Sequence, residues 1–291
     1  MSEFNSVEIL LATYNGERYL SEQIESLMNQ SYKNFTVLIS DDGSTDGTVE
    51  LINKIQDPRF KLVNSERVGG VIKNFEILLN NSSSEYVMLC DQDDVWHKDK
   101  VKVSLEGILK EERDKIEPCL GFSDLKLVDE NLNLIAPSFY RETKLNPYRN
   151  LNINNLSWMG SVYGCTIIMN RAAVQNSLPF PNKLIMHDHW LAYRSLINGM
   201  IFFIDKPLLK YRQHNKNVSG GMGYKQSLIK KIFSVQKYSD IKDRAIKISG
   251  MHNIVGFRQK LDFLMVILRS IPYCETKKYP ILFLISFILY G

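Results

Sequence analysis

Cysteine is scarce in this chain: there are four in 291 residues, Cys90, Cys119, Cys165 and Cys274, scattered without metal-type spacing. This excludes a disulfide-framed secreted scaffold and a cysteine zinc site, and leaves reduced thiols of a cytosolic protein as the simplest reading. No apolar run is long enough to cross a bilayer. The stretch closing the chain, Ile281 to Tyr290, has ten residues, where a spanning helix needs about 20. It suits docking at a membrane interface, burial against the domain, or truncation of a longer segment. The N-terminus carries Glu3 and Glu8 in place of a basic start and apolar stretch, so no signal peptide is expected and the catalytic part should stay inside the cell. There is no Gly-x-Gly-x-x-Gly turn for NAD, and Asn15-Gly16-Glu17-Arg18 does not supply the basic phosphate loop of a nucleotidyltransferase. Internal repeats and low-complexity tracts are also absent.

With 44% hydrophobic and 23% charged residues, the chain can bury a substantial core, as one large domain or a domain with an appendage. The net charge of +4 conceals an asymmetry. Residues 206–280 hold 16 Lys/Arg against 4 Asp/Glu, a local +12, which leaves about −8 for the rest. A basic tail favours anionic lipid surfaces or nucleic acid, or it forms a solvated helical face. No nucleic-acid reading module accompanies it, so no nucleic-acid partner is expected.

Strand-like runs alternate with helical spacing through the first 118 residues. Val7 to Ala12 precedes an amphipathic stretch through Leu20, Ile24, Leu27 and Met28. Phe35 to Ser40 precedes one with Val49, Ile52 and Ile55, and Phe60 to Asn64 one with Ile72, Phe75, Leu78 and Leu79. Tyr86 to Cys90 precedes a helix over Lys98 to Leu109. This rhythm predicts an α/β fold with a Rossmann-like, mostly parallel central sheet flanked by helices. Further strands are expected at Leu120 to Phe122, Val162 to Met169, Met200 to Ile204 and Leu208 to Tyr211. The polar stretch Asn131 to Ser157 lacks helical period and reads as a long binding loop. A mobile loop is expected from Arg212 to Gly221. The domain organisation read here is 1–220 for the main domain, split into halves 1–118 and 119–220, with a helical, basic and apolar extension over 221–291.

The most informative stretch is Tyr86-Val87-Met88-Leu89-Cys90-Asp91-Gln92-Asp93-Asp94-Val95-Trp96, an apolar strand ending at three carboxylates. Strand alternation puts Asp91 and Asp93 on one side, a two-carboxylate claw suited to Mg2+ or Mn2+ and, through the ion, to a diphosphate. Such a site at the carboxyl end of a strand lies where open α/β sheets bind ligands. The plainer reading is that these acids cap the following helix, although one cap needs one acid.

With Ala12-Thr13-Tyr14-Asn15, Ser40-Asp41-Asp42-Gly43-Ser44-Thr45-Asp46, Asp91-Gln92-Asp93-Asp94 and His187-Asp188-His189-Trp190 in this order, the chain resembles the family 2 glycosyltransferases of the GT-A fold over about residues 5–220. Cys90 to Trp96 and Met186 to Leu191 bring it nearest to bacterial rhamnosyltransferases that build polysaccharides. The resemblance implies that Thr13, Tyr14, Asn15, Asp91, Gln92 and one of Asp41 or Asp42 hold the nucleotide-sugar donor. A ring can stack on a pyrimidine, and a carboxylate can accept its imide N–H. It implies Asp93, with Asp91, as ligands of Mn2+ or Mg2+, His214 as a further ligand when its loop closes, and Asp188 as general base in an inverting displacement. His187 and His189 are expected to play structural parts, and Trp158 and Trp190 are candidates for sugar stacking or for the core.

The implied partners are a dTDP-rhamnose donor, or alternatively a UDP-hexose, a lipid-linked glycan acceptor, and the inner face of the cell membrane, met peripherally through the C-terminal segment. The Gln-x-x-Arg-Trp motif of other members is missing. Tyr211-Arg212-Gln213-His214 stands there, which argues against a processive synthase. Asp91-Gln92-Asp93-Asp94-Val95 also matches haloacid-dehalogenase-type phosphatases, but that motif ends the first strand of its core, and three βα units precede it here. A non-catalytic nucleotide-sugar or membrane-binding scaffold is the rival from another class.

Overall fold

A computed structural model of the chain describes residues 5–214, 235–254, 256–273 and 278–291. The expected mobile loop beyond His214, the start of the extension and Cys274 lie outside the described residues. The N-terminal half follows the alternation of its sequence: β1 (Val7–Thr13), α1 (Glu17–Met28), β2 (Phe35–Asp41), α2 (Thr48–Asn53), β3 (Phe60–Asn64), α3 (Val71–Asn81) and β4 (Tyr86–Asp91). All seven residues of β1 are buried, as a strand covered on both faces requires. Strands β1, β2, β3 and β4 pair in parallel. Their register aligns Ala12 with both Ser40 and Asp91, and Thr13 with Asp41. The polar residues that follow the three central strands therefore emerge side by side at one sheet edge.

After the acidic turn come β5 (Val95–Trp96), α4 (Lys100–Glu111) and β6 (Cys119–Val128). The 129–166 region follows with β7 (Leu134–Ala136), α5 (Phe139–Thr143) and α6 (Ile153–Leu156), and then β8 (Ile167–Asn170), α7 (Arg171–Ser177), α8 (His187–Asn198) and β9 (Met200–Arg212). The described sheet has nine strands in the order β3-β2-β1-β4-β8-β6-β9-β5, with β7 on β6. Its first four strands are parallel. In its second half β8 runs antiparallel to both neighbours, while β6 and β9 are parallel.

Three local expectations change. The two strands expected over 200–211 are one, carried through Asp205-Lys206-Pro207 by register shifts opposite Ser123 and Asp124; Pro207 is tolerated where the ladder is already irregular. The strand expected from Val162 begins only at Ile167, because Gly164–Thr166 close a 3-10 turn. The stretch 131–157 is not one open loop but carries β7 and short helices, held partly by buried Asp124. The Asp124 carboxylate accepts from the hydroxyl of Ser138 and, at 3.1 Å, from the amide of Phe139.

The C-terminal residues form α9 (Val235–Met251), α10 (Phe257–Ser270) and α11 (Lys278–Tyr290). These helices pack on the main domain around Trp158, which is fully buried. Its ring stacks on Phe283 at 4.9 Å between centroids, and its indole N–H donates to Ser270 Oγ at 3.0 Å. Its carbonyl accepts from Arg244 Nε and Nη2 at 3.1 and 2.9 Å. Trp158 is thus a keystone and not a sugar platform; Trp190 is also tied in, donating to the Ser177 carbonyl at 2.8 Å. The outer faces of the last two helices stay exposed and apolar: Phe257, Leu261, Met265 and Leu268 on α10, and Ile281, Ile285, Ile288 and Leu289 on α11. Both sets recur at the three-to-four-residue interval of one helix face. Among the described residues no helix is long and apolar enough to cross a membrane.

Candidate active site

The loop after β1 presents Tyr14, 43% exposed, with the Arg67 guanidinium 4.5 Å above its ring. This aromatic and cationic face is fixed from below. The Tyr14 amide donates to Gln92 Oε1 at 2.8 Å, and Gln92 Nε2 donates back to the Tyr14 carbonyl at 3.0 Å. Asn15, at a positive φ of 47°, ties the first loop to the second. Its amide donates to Ser44 Oγ at 2.7 Å, and its Oδ1 accepts from the Thr45 amide at 2.9 Å. Gln92 and Asn15 spend their side chains on protein contacts, so they shape the loops after β1 and β2 from within.

Asp41 and Asp42, one of which is expected to read a base, make their hydrogen bonds within the protein. Both are buried, at 0% and 2% exposure. Asp41 accepts from Thr13 Oγ1 at 2.7 Å, from Ser44 Oγ at 2.6 Å and from the Ser44 amide at 2.7 Å. Thr13 is buried with it. Asp42 accepts three successive amides, Val68 at 2.5 Å, Gly69 at 2.8 Å and Gly70 at 2.7 Å. Burial pushes its carboxyl upward, but these amides and nearby Arg67 together hold it below the usual range. Gly69 and Gly70 have φ of 97° and 112°, conformations that glycine adopts without steric cost. These carboxylates build the loops that carry Tyr14 and Arg67.

The acidic end of β4 also departs from simple alternation. The strand stops at Asp91, and Gln92 and Asp93 turn. Oxygens of Asp91 and Asp94 and the Cys165 sulfur all lie within 4.8 Å of one another, whereas Asp93 meets His214, Oδ2 to Nε2 at 2.7 Å, in a largely buried pair. Nor do these acids cap α4, whose N-terminal residue is Lys100 after Asp99. Burial first, then the charges of Asp93 and Asp188, raise the Asp91 carboxyl to about 7. Buried Lys100, its amine lowered to about 8 by burial, is the internal cation beneath these acids. Its Nζ bonds the Cys165 carbonyl and lies 3.6 Å from the Trp96 ring centroid.

The potential metal ligands that lie within 4.8 Å of one another among the described residues are Asp91, Asp94 and Cys165, and Asp93 and His214 form a separate pair beside them. Asp93 and His214 converge a carboxylate oxygen and an imidazole nitrogen, a donor pair suited to Mn2+, and Asp91 sits in a cluster of negative charge that a cation relieves. Cys165 is a poor donor because burial pushes its thiol well up and keeps it protonated. Arg212 holds the arrangement: its Nε donates to the Asp93 carbonyl at 2.9 Å, its guanidinium pairs with Glu22 and the Glu130 carbonyl, and its Cζ lies 4.5 Å over the Tyr19 ring.

Asp188 is the second residue of α8. Its Oδ1 accepts from the His189 amide at 2.6 Å and its Oδ2 from the Gly164 amide at 3.0 Å. Burial raises its carboxyl to about 6, against the opposing pull of these amides and of Arg244. It is therefore a carboxylate at neutral pH, poised to accept a proton. A Cβ at position 164 would come within 2.9 Å of His187 Nε2, so glycine permits the approach that lets this amide reach Asp188. Both flanking histidines are buried and pushed by burial to about 3. His187 stacks on Phe75 at 4.2 Å. They are neutral packing groups.

The structure brings Asp91, Asp93, His214 and Asp188 toward one region and places Thr13, Asn15, Asp41, Asp42 and Gln92 behind it. Sequence reasoning gave no individual role to Asp94, Lys100, Cys165, Arg67, Arg212 or Arg244. Lys100 alone left a trace, as a lysine at an inward helical position.

The family model described as Glycosyl transferase family 2 matches residues 8–178, a stretch that includes the loops after β1, β2 and β4 and ends before Asp188. The dTDP-rhamnosyl transferase RfbG of Shigella flexneri is 27% identical over 225 residues, which cover 72% of this chain and 73% of that protein. The UDP-Glc:alpha-D-GlcNAc-diphosphoundecaprenol beta-1,3-glucosyltransferase WfgD of Escherichia coli is 26% identical over 220 residues, 73% of this chain and 79% of its own length. The crystal structure of S. aureus TarS 1-349 in complex with UDP-GlcNAc matches with a TM-score of 0.60 at 19% identity, over 94% of this chain and 75% of that one. The likeness to TarS is one of GT-A fold.

Proposed function

The chain belongs to glycosyl transferase family 2, and from that premise we propose that it is an inverting, metal-dependent transferase moving L-rhamnose from a dTDP donor to a hydroxyl of a lipid-linked, cell-surface glycan. The observation that carries this reading is the Asp188 carboxylate, held by the Gly164 and His189 amides and raised to about 6, in a region that also holds the pair Asp93 and His214. The Tyr14 ring, with Arg67 over it, offers a flat face for a pyrimidine. Asp93, His214 and Asp91 would hold Mn2+ or Mg2+, which supplies positive charge to the diphosphate as it departs. Asp188 takes the proton of the acceptor hydroxyl as its oxygen bonds to the anomeric carbon. The carbon–phosphate oxygen bond breaks, its electron pair leaves with the nucleoside diphosphate, and a single displacement inverts the centre.

The similarity to RfbG supports rhamnose, and that to WfgD favours a second reading with a UDP-hexose donor. The exposed apolar faces of α10 and α11, within the basic tail, support peripheral docking on the cytoplasmic face of a membrane through lipid contact and charge. The test is calorimetric binding of dTDP, UDP and GDP, each with Mn2+ and with chelator, to the wild type and to Asp93→Ala. Metal-dependent binding of dTDP or UDP that Asp93→Ala loses is expected. No binding of any of the three overturns the donor-site assignment.

A further inference from the structure

Helix α9 meets the main domain with a polar side chain on its inward face. Ile241, Ala245 and Ile248 are buried on that face, and Arg244, three residues after the first and four before the last, falls on the same side. Its Nε and Nη2 donate to the Trp158 carbonyl at 3.1 and 2.9 Å. Just past the helix, His252 Nε2 meets the Ser157 carbonyl at 2.8 Å, and its ring packs edge-on against Tyr193 of α8 at 4.5 Å between centroids. The extension therefore grips one end of a strap, residues 157–164. At the other end the Gly164 amide donates to Asp188 Oδ2 at 3.0 Å. Between the two, the Ser161 amide donates to Asn150 Oδ1 at 2.9 Å and its carbonyl accepts from the Tyr140 hydroxyl at 2.6 Å. A strap pinned along its length carries the placement of α9 to the amide that orients the base.

Charge makes a second link. Arg244 and Tyr163 line one cavity, of about 290 Å³, whose wall includes Tyr279 and Pro280 of α11. The groups facing Asp188 are Asp91 from the end of β4, Tyr163 from the strap, Arg244 from α9 and, on α8 itself, His187 and His189. The histidines are neutral, and burial raises the Tyr163 hydroxyl and keeps it protonated. Asp91 adds negative charge, and Arg244 opposes it. We propose that Arg244 is a positioning residue for the base: it fixes the Asp188 carboxylate through the 157–164 strap and faces it with a positive charge, so that the C-terminal extension completes a site whose family-model match ends at 178. A guanidinium suits both tasks, because two nitrogens of its planar fork take one carbonyl while the delocalised charge still acts on the carboxylate. Without that charge, a buried carboxylate near Asp91 keeps its proton to higher pH, and protonated Asp188 cannot take another from a hydroxyl. The role rests on the reading of Asp188 as the base of a transferase.

The test has a readout that needs no substrate. The full chain, carrying carbon-13 at its aspartate carboxyls, is titrated by NMR from pH 5 to 8 as wild type, Arg244→Gln and Arg244→Lys. The Asp188 signal is identified by its loss in Asp188→Asn, and thermal melts show that each variant is folded. The Asp188 midpoint should rise by about half to one pH unit in Arg244→Gln and stay close to wild type in Arg244→Lys, which keeps the charge. Exchange of the Gly164 amide should quicken about tenfold in both variants, the equivalent of one lost hydrogen bond, because neither side chain reproduces the two-nitrogen grip on Trp158. In nucleotide release from dTDP-rhamnose or UDP-glucose at pH 6, kcat should fall about two- to fivefold in Arg244→Gln with donor KM unchanged. An unmoved Asp188 midpoint in Arg244→Gln overturns the proposal, as does unchanged Gly164 exchange. If Arg244→Gln does not fold, Gly164 exchange in Arg244→Lys decides. A midpoint that moves in a chain releasing nucleotide from neither donor supports the link from Arg244 to Asp188 and counts against the transferase reading instead.

Discussion

The pH dependence of transfer should be set by Asp188. Its carboxyl is raised to about 6, first by burial, with two backbone amides and Arg244 limiting the rise. The working form is the ionised one, so activity should be full above about pH 7 and fall as pH drops through 6. About nine-tenths of the groups are ionised at pH 7 and about one-eleventh at pH 5, a roughly tenfold fall in kcat/KM across that interval. Asp188→Asn removes the base and should lower transfer by about 10² to 10⁴-fold, while metal-dependent nucleotide binding survives. The amide group of Asn cannot accept from both the Gly164 and His189 amides as the carboxylate does, so about 1–3 kcal/mol of stability should go as well. The assay is initial transfer rate from pH 5 to 8 at saturating donor, with nucleotide titrations of both proteins. A flat wild-type profile over that range, or Asp188→Asn retaining more than a tenth of the activity, would refute the reasoning.

Trp158→Ala should destabilise the chain by about 3–5 kcal/mol, the range for a large buried aromatic, and hydrogen exchange should show faster exchange in α9, α10 and α11 than in β1; uniform protection contradicts the keystone role. Asp42→Asn should cost about 1.5–3 kcal/mol in urea unfolding because charge-assisted bonds from Val68, Gly69 and Gly70 weaken. Since the Asp42 carboxyl is held below its usual range, its contribution is present above about pH 4 and lost as pH falls, so the variant should also show a flatter acid limb. Gln92→Ala frees the Tyr14 loop, and ordering about one residue on binding costs about 1–2 kcal/mol, so nucleotide affinity should drop about 5 to 30-fold by calorimetry with Mn2+ binding intact; unchanged affinity would argue against the clamp.

The first four strands and their helices were legible because each apolar run stops at a turn rich in Asp, Gly, Ser or Thr, and both faces of a central strand are buried. Asp188 stood out for its motif. What escaped depended on contacts remote in sequence. Nothing local distinguishes an aspartate that closes its own turn, as Asp41 does with Ser44, from one aimed at a ligand. Alternation predicted an Asp91 and Asp93 claw, but it holds only while the strand lasts, and the chain turns at Gln92. The Asp94, Cys165 and Lys100 cluster joins three elements, and no spacing rule connects them. Asp205-Lys206-Pro207 read as a break because proline cannot donate to a ladder, yet the register shifts beside Asp124 leave no bond there to lose.

The position of Arg244, Tyr279 and Pro280 in the chain bears on how the molecule comes into being. Synthesis is vectorial and domains form as they emerge, so the donor loops, complete by Asp94, can assemble while most of the polypeptide is still on the ribosome. The cavity lined by Tyr163, Arg244, Tyr279 and Pro280 gains its last wall only after Pro280 has been added and α11 has docked on Trp158. A nascent chain would thus have its first loops in place before that cavity is closed, and the same late helix that closes it carries the apolar face turned outward. Completion of the cavity and arrival of the exposed apolar surface are one event in the life of the chain.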